Sequence, residues 1–231
     1  MEHLYDTHYH LDLQKDRSVA IREIENSQIY TIAVTNLPDL YRKEIAEIKS
    51  KYIRIALGFH PELIHQYQKQ IPLMWELLPP ARYIGEVGLD FVDVTYKKEQ
   101  VAFFSELVER CRFDENKIMT IHSRRAVKRV LDILGNTYRF KAILHWFTGT
   151  KDELNEALDK GCYISVNSVM IASKTFISTL LPLIPKERIL LETDSPFTYS
   201  NHSYNETLEN MVLRLNANGI DVWHNFETLL R

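Results

Sequence analysis

The sequence predicts an α/β fold of eight alternating strand and helix units, the pattern of a closed (β/α)8 barrel. Three observations predict it. Short β-type apolar runs recur at 4–8, 29–35, 53–59, 83–89, 117–122, 140–145, 162–167 and 188–193. Stretches of helical spacing separate them, and strands joined by helical crossovers pair in parallel. The residues with the most chemistry cluster where those runs end: five of the nine histidines close a run, and two carboxylates stand in or just beyond one. A doubly wound open sheet is the alternative, because periodicity does not establish closure.

Each element has its own signal. The first run leads through Asp6-Thr7-His8 to Tyr9-His10, and the second is followed by Pro38, placed for the first turn of a helix that continues through Glu44-Ile45-Ala46-Glu47-Ile48. The third run leads to Gly58-Phe59-His60-Pro61, and the fourth carries Glu86 and leads to Asp90. Val101, Phe104, Leu107, Val108 and Cys111 then share one face of a longer helix. A polar stretch between Arg112 and Lys117 precedes the fifth run, which ends at His122, and the sixth ends at His145. Thr150 and Glu153 form a capping-box pattern, Gly161 is placed to end that helix, and the eighth run leads to Asp194.

Composition is that of an ordinary globular protein. A chain of 231 residues with 45% hydrophobic content supports a sizeable core. No Gly/Ser or charged linker, low-complexity segment or short repeat divides it, so one domain over 1–231 is expected. The first residues lack a basic and apolar leader, and no run approaches the roughly 18 apolar residues of a membrane span. Cys111 and Cys162 read as buried thiols rather than a disulfide, which with the missing leader points to the cytoplasm. A formal net charge of −3 argues against a simple basic nucleic-acid-binding module. Attraction for a polyanion must then be local, and metal is one source of it.

Neutral imidazoles and carboxylates are ligands of divalent cations, and a barrel gathers strand ends at one rim. His8 and His10 are two apart and point to one side of a strand, as do Glu86 and Asp90, His122 and Arg124, and Glu192 and Asp194. A single histidine is more often an ordinary core or surface residue, and His3, His65, His202 and His224 keep that reading. His60 is intermediate, because Pro61 also marks a turn; it contacts either metal or substrate. The apolar flanks of Glu86 and Asp194 make bulk solvation implausible, and an unpaired buried carboxylate is costly. The set reads as a multi-metal hydrolase site.

The motifs Asp6-Thr7-His8-Tyr9-His10-Leu11-Asp12, Gly58-Phe59-His60-Pro61, Gly85-Glu86-Val87-Gly88-Leu89-Asp90, Ile121-His122-Ser123-Arg124, Leu144-His145-Trp146-Phe147-Thr148-Gly149 and Glu192-Thr193-Asp194-Ser195-Pro196 follow in that order. Together they resemble the motifs of the TatD family of metal-dependent deoxyribonucleases. The resemblance spans residues 4 to about 197, and Asn225-Phe226 is similar to the family's closing helix. It implies a distorted TIM barrel of the amidohydrolase-like kind, two divalent ions, and hydrolysis of phosphodiesters, often from the 3′ end of single strands. It also implies one ion held by His8, His10, Glu86 and Asp194 and a second by Glu86, His122 and His145, with Glu86 as the bridge. Asp194 then takes a proton from the attacking water or serves only as a ligand. Arg124 holds a phosphate or forms a surface ion pair, and Asp90 and Glu192 orient ligands. Four imidazoles favour zinc, manganese, cobalt or nickel, whereas the family's nuclease activity is associated with magnesium.

The chain departs from the family after Pro196. The usual proline- and basic-rich loop ending in Arg-Asn-Glu-Pro is replaced by a stretch in which only Asn205-Glu206 survives, and no Lys or Arg occurs between Arg188 and Arg214. Trp146 stands where a small residue is usual. This altered branch resembles the TatD-like nuclease component of Qat-type anti-phage defence operons, which implies protein partners, although a monomer is expected in isolation. Three functional readings follow: a two-metal nuclease on nucleic-acid ends; an ester or amide hydrolase such as an aminoacyl-tRNA deacylase; or a weakly active binding subunit of a defence complex.

Overall fold

All eight predicted runs form strands: β1 (Tyr5–Tyr9), β2 (Tyr30–Val34), β3 (Ile53–Ala56), β4 (Tyr83–Gly88), β5 (Ile118–His122), β6 (Lys141–Leu144), β7 (Tyr163–Val166) and β8 (Ile189–Leu191). The structure is a computed structural model, and it describes residues 3–198 and 203–231. Every pairing is parallel and neighbours follow chain order, in two ladders, β1-β2-β3 and β4-β5-β6-β7-β8. The strands are buried almost throughout, as expected of a parallel sheet covered on both faces.

The ladders do not run on into one continuous cylinder. Between β3 and β4 a single bridge pairs Leu57 with Ile84; the Leu57 N–H donates to the Tyr83 carbonyl at 2.9 Å, and the Gly85 N–H returns to Leu57 at 2.9 Å. Beyond the bridge the Phe59 N–H donates to the Glu86 carbonyl at 3.0 Å, and the backbones pack so closely that a Cβ on Gly58 would lie 2.6 Å from the Glu86 nitrogen and 1.7 Å from the Thr35 carbonyl oxygen. Between β8 and β1 a mixture of side-chain bonds and isolated backbone bonds replaces the ladder. The Thr7 hydroxyl donates to the Leu191 carbonyl at 2.9 Å, the Thr193 N–H to Asp6 Oδ1 at 3.0 Å, and the Asp194 N–H to the His8 carbonyl at 2.9 Å. A distorted barrel-like arrangement is the result, with its seams beside functional residues.

Helices α1 (Arg17–Ser27), α2 (Pro38–Glu47), α3 (Ile71–Leu77), α4 (Lys97–Cys111), α5 (Val127–Leu134), α6 (Lys151–Asp159) and α7 (Ser168–Ala172) lie between strands, and α8 (Tyr204–Asn216) and α9 (Val222–Leu230) close the chain. Pro38 opens α2. In α4, Phe104, Leu107, Val108 and Cys111 are buried, together with Gln100 and Phe103. Thr150 and Glu153 form a reciprocal capping box at α6, and Gly161 follows with φ of 82°. In α9 the Asn225 amide donates to the carbonyls of Lys186 at 2.6 Å and Ile189 at 2.8 Å, while Phe226 stacks on Tyr5 with centroids 4.2 Å apart. These contacts anchor the closing helix beneath β1 and β8. Cys111 and Cys162 are free, buried thiols. Among the described residues, no helix is long and apolar enough to cross a membrane.

One glycine sets a close approach that the site depends on. Gly88 pairs with His122 across β4 and β5, has φ of 137°, and would place a Cβ 2.1 Å from the His122 carbonyl oxygen. Gly88→Ala therefore combines backbone strain with a clash against another strand. The expected cost is about 3 kcal/mol or more, read as a fall in melting temperature of about 6–12 °C by calorimetry. An unchanged melting temperature would show that β4 and β5 can separate freely at this point.

Candidate metal centre

The ligand-type side chains converge at one place by distinct local means. β1 carries an irregular register between Asp6 and Tyr9, and there His8 and His10 turn to one side with their Nε2 atoms 3.2 Å apart. β4 has its irregularity between Ile84 and Val87, which bracket Glu86. His122 ends β5, and His145 follows β6 directly. Asp194 lies beyond β8, which stops at Leu191, so strand parity does not aim its side chain. A left-handed backbone with φ of 52° does so, pinned by the N–H bond to His8.

Glu86 occupies the middle, and its two oxygens face different partners. Oε2 lies 3.6 Å from His8 Nε2 and 3.3 Å from His10 Nε2. Asp194 Oδ1 approaches the same two nitrogens at 3.6 and 3.3 Å. Oε1 lies 2.6 Å from His122 Nδ1 and 2.9 Å from His145 Nε2, and those nitrogens are 3.3 Å apart. The two lobes touch, since the rings of His8 and His145 stack with centroids 4.0 Å apart.

Carboxylates behind the histidines fix which nitrogen faces inward. Asp90 Oδ2 lies 2.8 Å from His122 Nε2, leaving Nδ1 for the cluster. Glu192 Oε1 is 3.7 Å from His145 Nδ1, and this carboxylate is itself held by Ser165, by Asn167 and by the Trp146 N–H. Asp12 Oδ1 stands 3.7 Å from His10 Nδ1, while Asp12 Oδ2 accepts from Asn36 Nδ2 at 2.8 Å. Asp6 ties the seam: Oδ1 accepts from the His8 N–H at 3.0 Å, and Oδ2 accepts from the hydroxyls of Thr193 at 2.5 Å and Tyr204 at 3.1 Å.

Burial works to raise the Glu86 carboxyl, but the imidazoles of His60, His145, His122 and His10 hold it well below its usual range. Burial, reinforced by His145, lowers His8. Burial also opposes charge on His10, His122 and His145, yet Asp12, then Asp194 and Glu86, raise His10, Glu86 and Asp90 raise His122, and Glu86 and Glu192 raise His145. Asp194, against its burial, is lowered first by the adjacent His10 imidazole and then by the charges of His8 and His145. An ionised carboxylate bridge thus gathers positive charge from both sides.

These residues fit divalent cations. Among the described residues, His8, His145 and Asp194 join one grouping whose ligand atoms lie within 4.8 Å of one another, His8, His10 and Glu86 a second, and His60, Glu86 and His122 a third. Buried His8 Nδ1, His145 Nδ1 and Asp194 Oδ1 have no hydrogen-bond partner among the described residues. Such a set, rich in lone pairs and organised by outer carboxylates, suits cations that displace the imidazole protons.

The cluster opens into a cavity of about 460 Å³. His60 lines it with Nε2 3.7 Å from Glu86 Oε1 and its ring 5.0 Å from that of His122. Its Nδ1 accepts the Glu62 N–H at 3.3 Å, and burial lowers the ring to about 4, so the neutral ring carries its proton on Nε2. Arg124 is exposed on the same cavity and makes no ion pair among the described residues. His3 contacts Tyr30 and Trp223, His65 stacks on Tyr96, and His224 lies in α9, none of them at the cluster. His202 lies outside the described residues.

The model of the family described as TatD related DNase matches residues 5–223. The chain belongs to the TatD family. It is accordingly a hydrolase acting on ester bonds, of the TatD deoxyribonuclease type. The chain is 31% identical over 176 residues to the 3′-5′ ssDNA/RNA exonuclease TatD of Edwardsiella piscicida, covering 72% of this chain and 67% of the relative. It is 28% identical over 195 residues to the same-named protein of Pantoea ananatis, covering 79% and 74%. In fold it matches the TatD homologue YJJV of Escherichia coli K12 with a TM-score of 0.76 at 22% identity, over 98% and 97% of the two chains. A TatD family hydrolase from Entamoeba histolytica matches at 0.73 and 16%, over 99% and 96%.

Sequence reasoning gave no role to Asp6, Asp12, Asn36, Ser165 or Asn167. All are polar residues beside the cluster, buried except for the half-buried Asp12. The partners of Asp6 lie up to 198 positions away, so no local pattern announces them. Buried acidic character within the apolar first run was the available signal for Asp6. Trp146, which the sequence shows where a small residue is usual, has a φ of 39°, a backbone that costs a bulky residue about 1–3 kcal/mol. The bond from its N–H to Glu192 at 2.9 Å holds it there.

Proposed function

We propose that the chain is a two-metal nuclease that removes nucleotides from the 3′ end of single-stranded DNA. The observation that carries this reading is the division of Glu86, with Oε2 turned to His8 and His10 and Oε1 to His122 and His145. One ion would be held by His8, His10, Glu86 and Asp194, and the other by Glu86, His122 and His145. Two divalent ions in such a set supply a lowered water pKa and positive charge for a phosphate, with Glu86 and Asp194 offsetting only part of it. The similarity to curated 3′-5′ single-strand exonucleases supports the choice of substrate and polarity.

The protein's own groups then divide the work. Asp194, ionised and at the cavity floor, takes the proton of the attacking water. His60, whose Nδ1 accepts the Glu62 N–H, presents Nε2–H as a neutral donor to a phosphate oxygen. Arg124 offers a planar fork to a phosphate at the mouth. Asp90, Glu192 and Asp12 orient His122, His145 and His10.

Metal-depleted protein, reloaded with zinc, manganese or magnesium singly, tests the reading on end-labelled single- and double-stranded DNA, RNA and an aminoacyl-tRNA. Stepwise shortening of single-stranded DNA from the 3′ end is expected. Release of amino acid with intact DNA would overturn it in favour of a deacylase.

Few phosphates beyond the scissile one can be neutralised. Arg124 is the one Lys or Arg lining the cavity among the described residues, and none occurs from 189 to 213. Binding of single strands should therefore weaken only shallowly with salt, with a logarithmic slope near −1 to −2, from about 0.7 per phosphate. A partner protein, as in an anti-phage defence complex, would supply further contacts. A slope of about −4 or steeper for the isolated chain would show that another surface binds the strand.

A further inference from the structure

Two aromatic rings flank the cluster, one from each lobe. Trp146 follows His145 directly, is half-buried against the core, and is held in a left-handed backbone by Glu192. Phe197 donates its N–H to the Asp194 carbonyl at 2.8 Å. Its ring stands edge-on to His10 with centroids 5.3 Å apart, and it is 57% exposed. Both line the cavity, which at about 460 Å³ has the scale of a small-molecule pocket rather than a duplex-sized groove. The mouth gives a phosphate chain little else to hold: the exposed carboxylate of Glu62 lines it, and Arg124 is its one Lys or Arg among the described residues.

A strand end entering such a site gains little from charge beyond the scissile phosphate. Aromatic faces hold unpaired bases by stacking, largely independent of sequence and of salt. We infer that Trp146 and Phe197 form a stacking platform for the base of the 3′-terminal nucleotide, making an unpaired terminal base the feature this chain recognises. The inference rests on the nuclease reading and deepens it. A terminal base still paired in a duplex exposes only its outer face and brings its partner base with it, which a cavity of about 460 Å³ does not accommodate, so single-strand selectivity follows from the same site.

The test compares metal-loaded protein on single-stranded DNA whose 3′-terminal nucleotide carries adenine or is abasic. The wild type should favour the base-bearing end by about tenfold in kcat/KM, mainly through KM. Trp146→Ala and Phe197→Ala should each erode that preference, and Trp146→Phe should restore most of it. Circular dichroism verifies that each variant is folded. Equal cleavage of both ends by the wild type, or a full preference retained in both alanine variants, overturns the platform while leaving the nuclease reading intact. Calorimetric binding of deoxyadenosine monophosphate against deoxyribose 5-phosphate decides the matter without cleavage. If no DNA is cut, the nuclease reading fails; tighter binding of the nucleotide still supports the platform, and equal binding overturns it.

Discussion

Glu86→Ala is expected to empty both halves of the centre at once. Elemental analysis of the reloaded variant should find well under one ion per chain, and hydrolysis should fall by about three orders of magnitude or more, because both the shared ligand and the cations it holds are lost. The expectation follows from geometry: Oε2 serves the His8 and His10 side, and Oε1 lies 2.6 Å from His122 and 2.9 Å from His145. His122→Ala or His145→Ala should release one ion and leave the other. Because Glu86 is buried among four imidazoles, Glu86→Gln serves as a same-shape control for folding. Full occupancy in the alanine variant would remove the bridge from the assignment.

Asp194→Asn should separate proton transfer from architecture. The residue sits at the cavity floor, with its N–H bonded to the His8 carbonyl at 2.9 Å, a contact the amide variant keeps. An asparagine retains an oxygen for the His8 and His10 side but cannot accept a proton at neutral pH. Turnover should fall by about two or more orders of magnitude while the melting temperature changes little. A variant with unchanged kcat would reduce Asp194 to a replaceable ligand.

The strands were legible because their residues serve one need, burial on both faces, which writes a local apolar pattern. The seams were not. Beyond β3 the chain passes close to Thr35 at Gly58, and beyond β8 Thr193 bonds to Asp6, 187 positions away, so neither seam has a local pattern. The segment from Pro61 to Leu77 also escaped notice, because it combines two 3-10 turns with a short helix and has little periodicity. At the site, His8, His10, Glu86, His122, His145 and Asp194 stood out as polar residues in or beside apolar runs, and the fold brings all six together. Their supports could be read only in part. Asp90 shares the parity of Glu86, whereas Asn36 reaches Asp12 from another strand's loop. Of the altered loop over 197–206, residues 199–202 lie outside the described residues, while Phe197 lines the cavity and Ser203 with Glu206 caps α8.

The most direct measurement is a titration of metal-depleted protein with one ion at a time, following release of nucleotides from 5′-labelled single-stranded DNA alongside metal content. Activity that rises only as the second equivalent binds, yielding products shortened progressively from the 3′ end, is the expected result. Full activity at a single equivalent, or cleavage that survives exhaustive chelation, would contradict a nuclease centre built on two cations shared through Glu86.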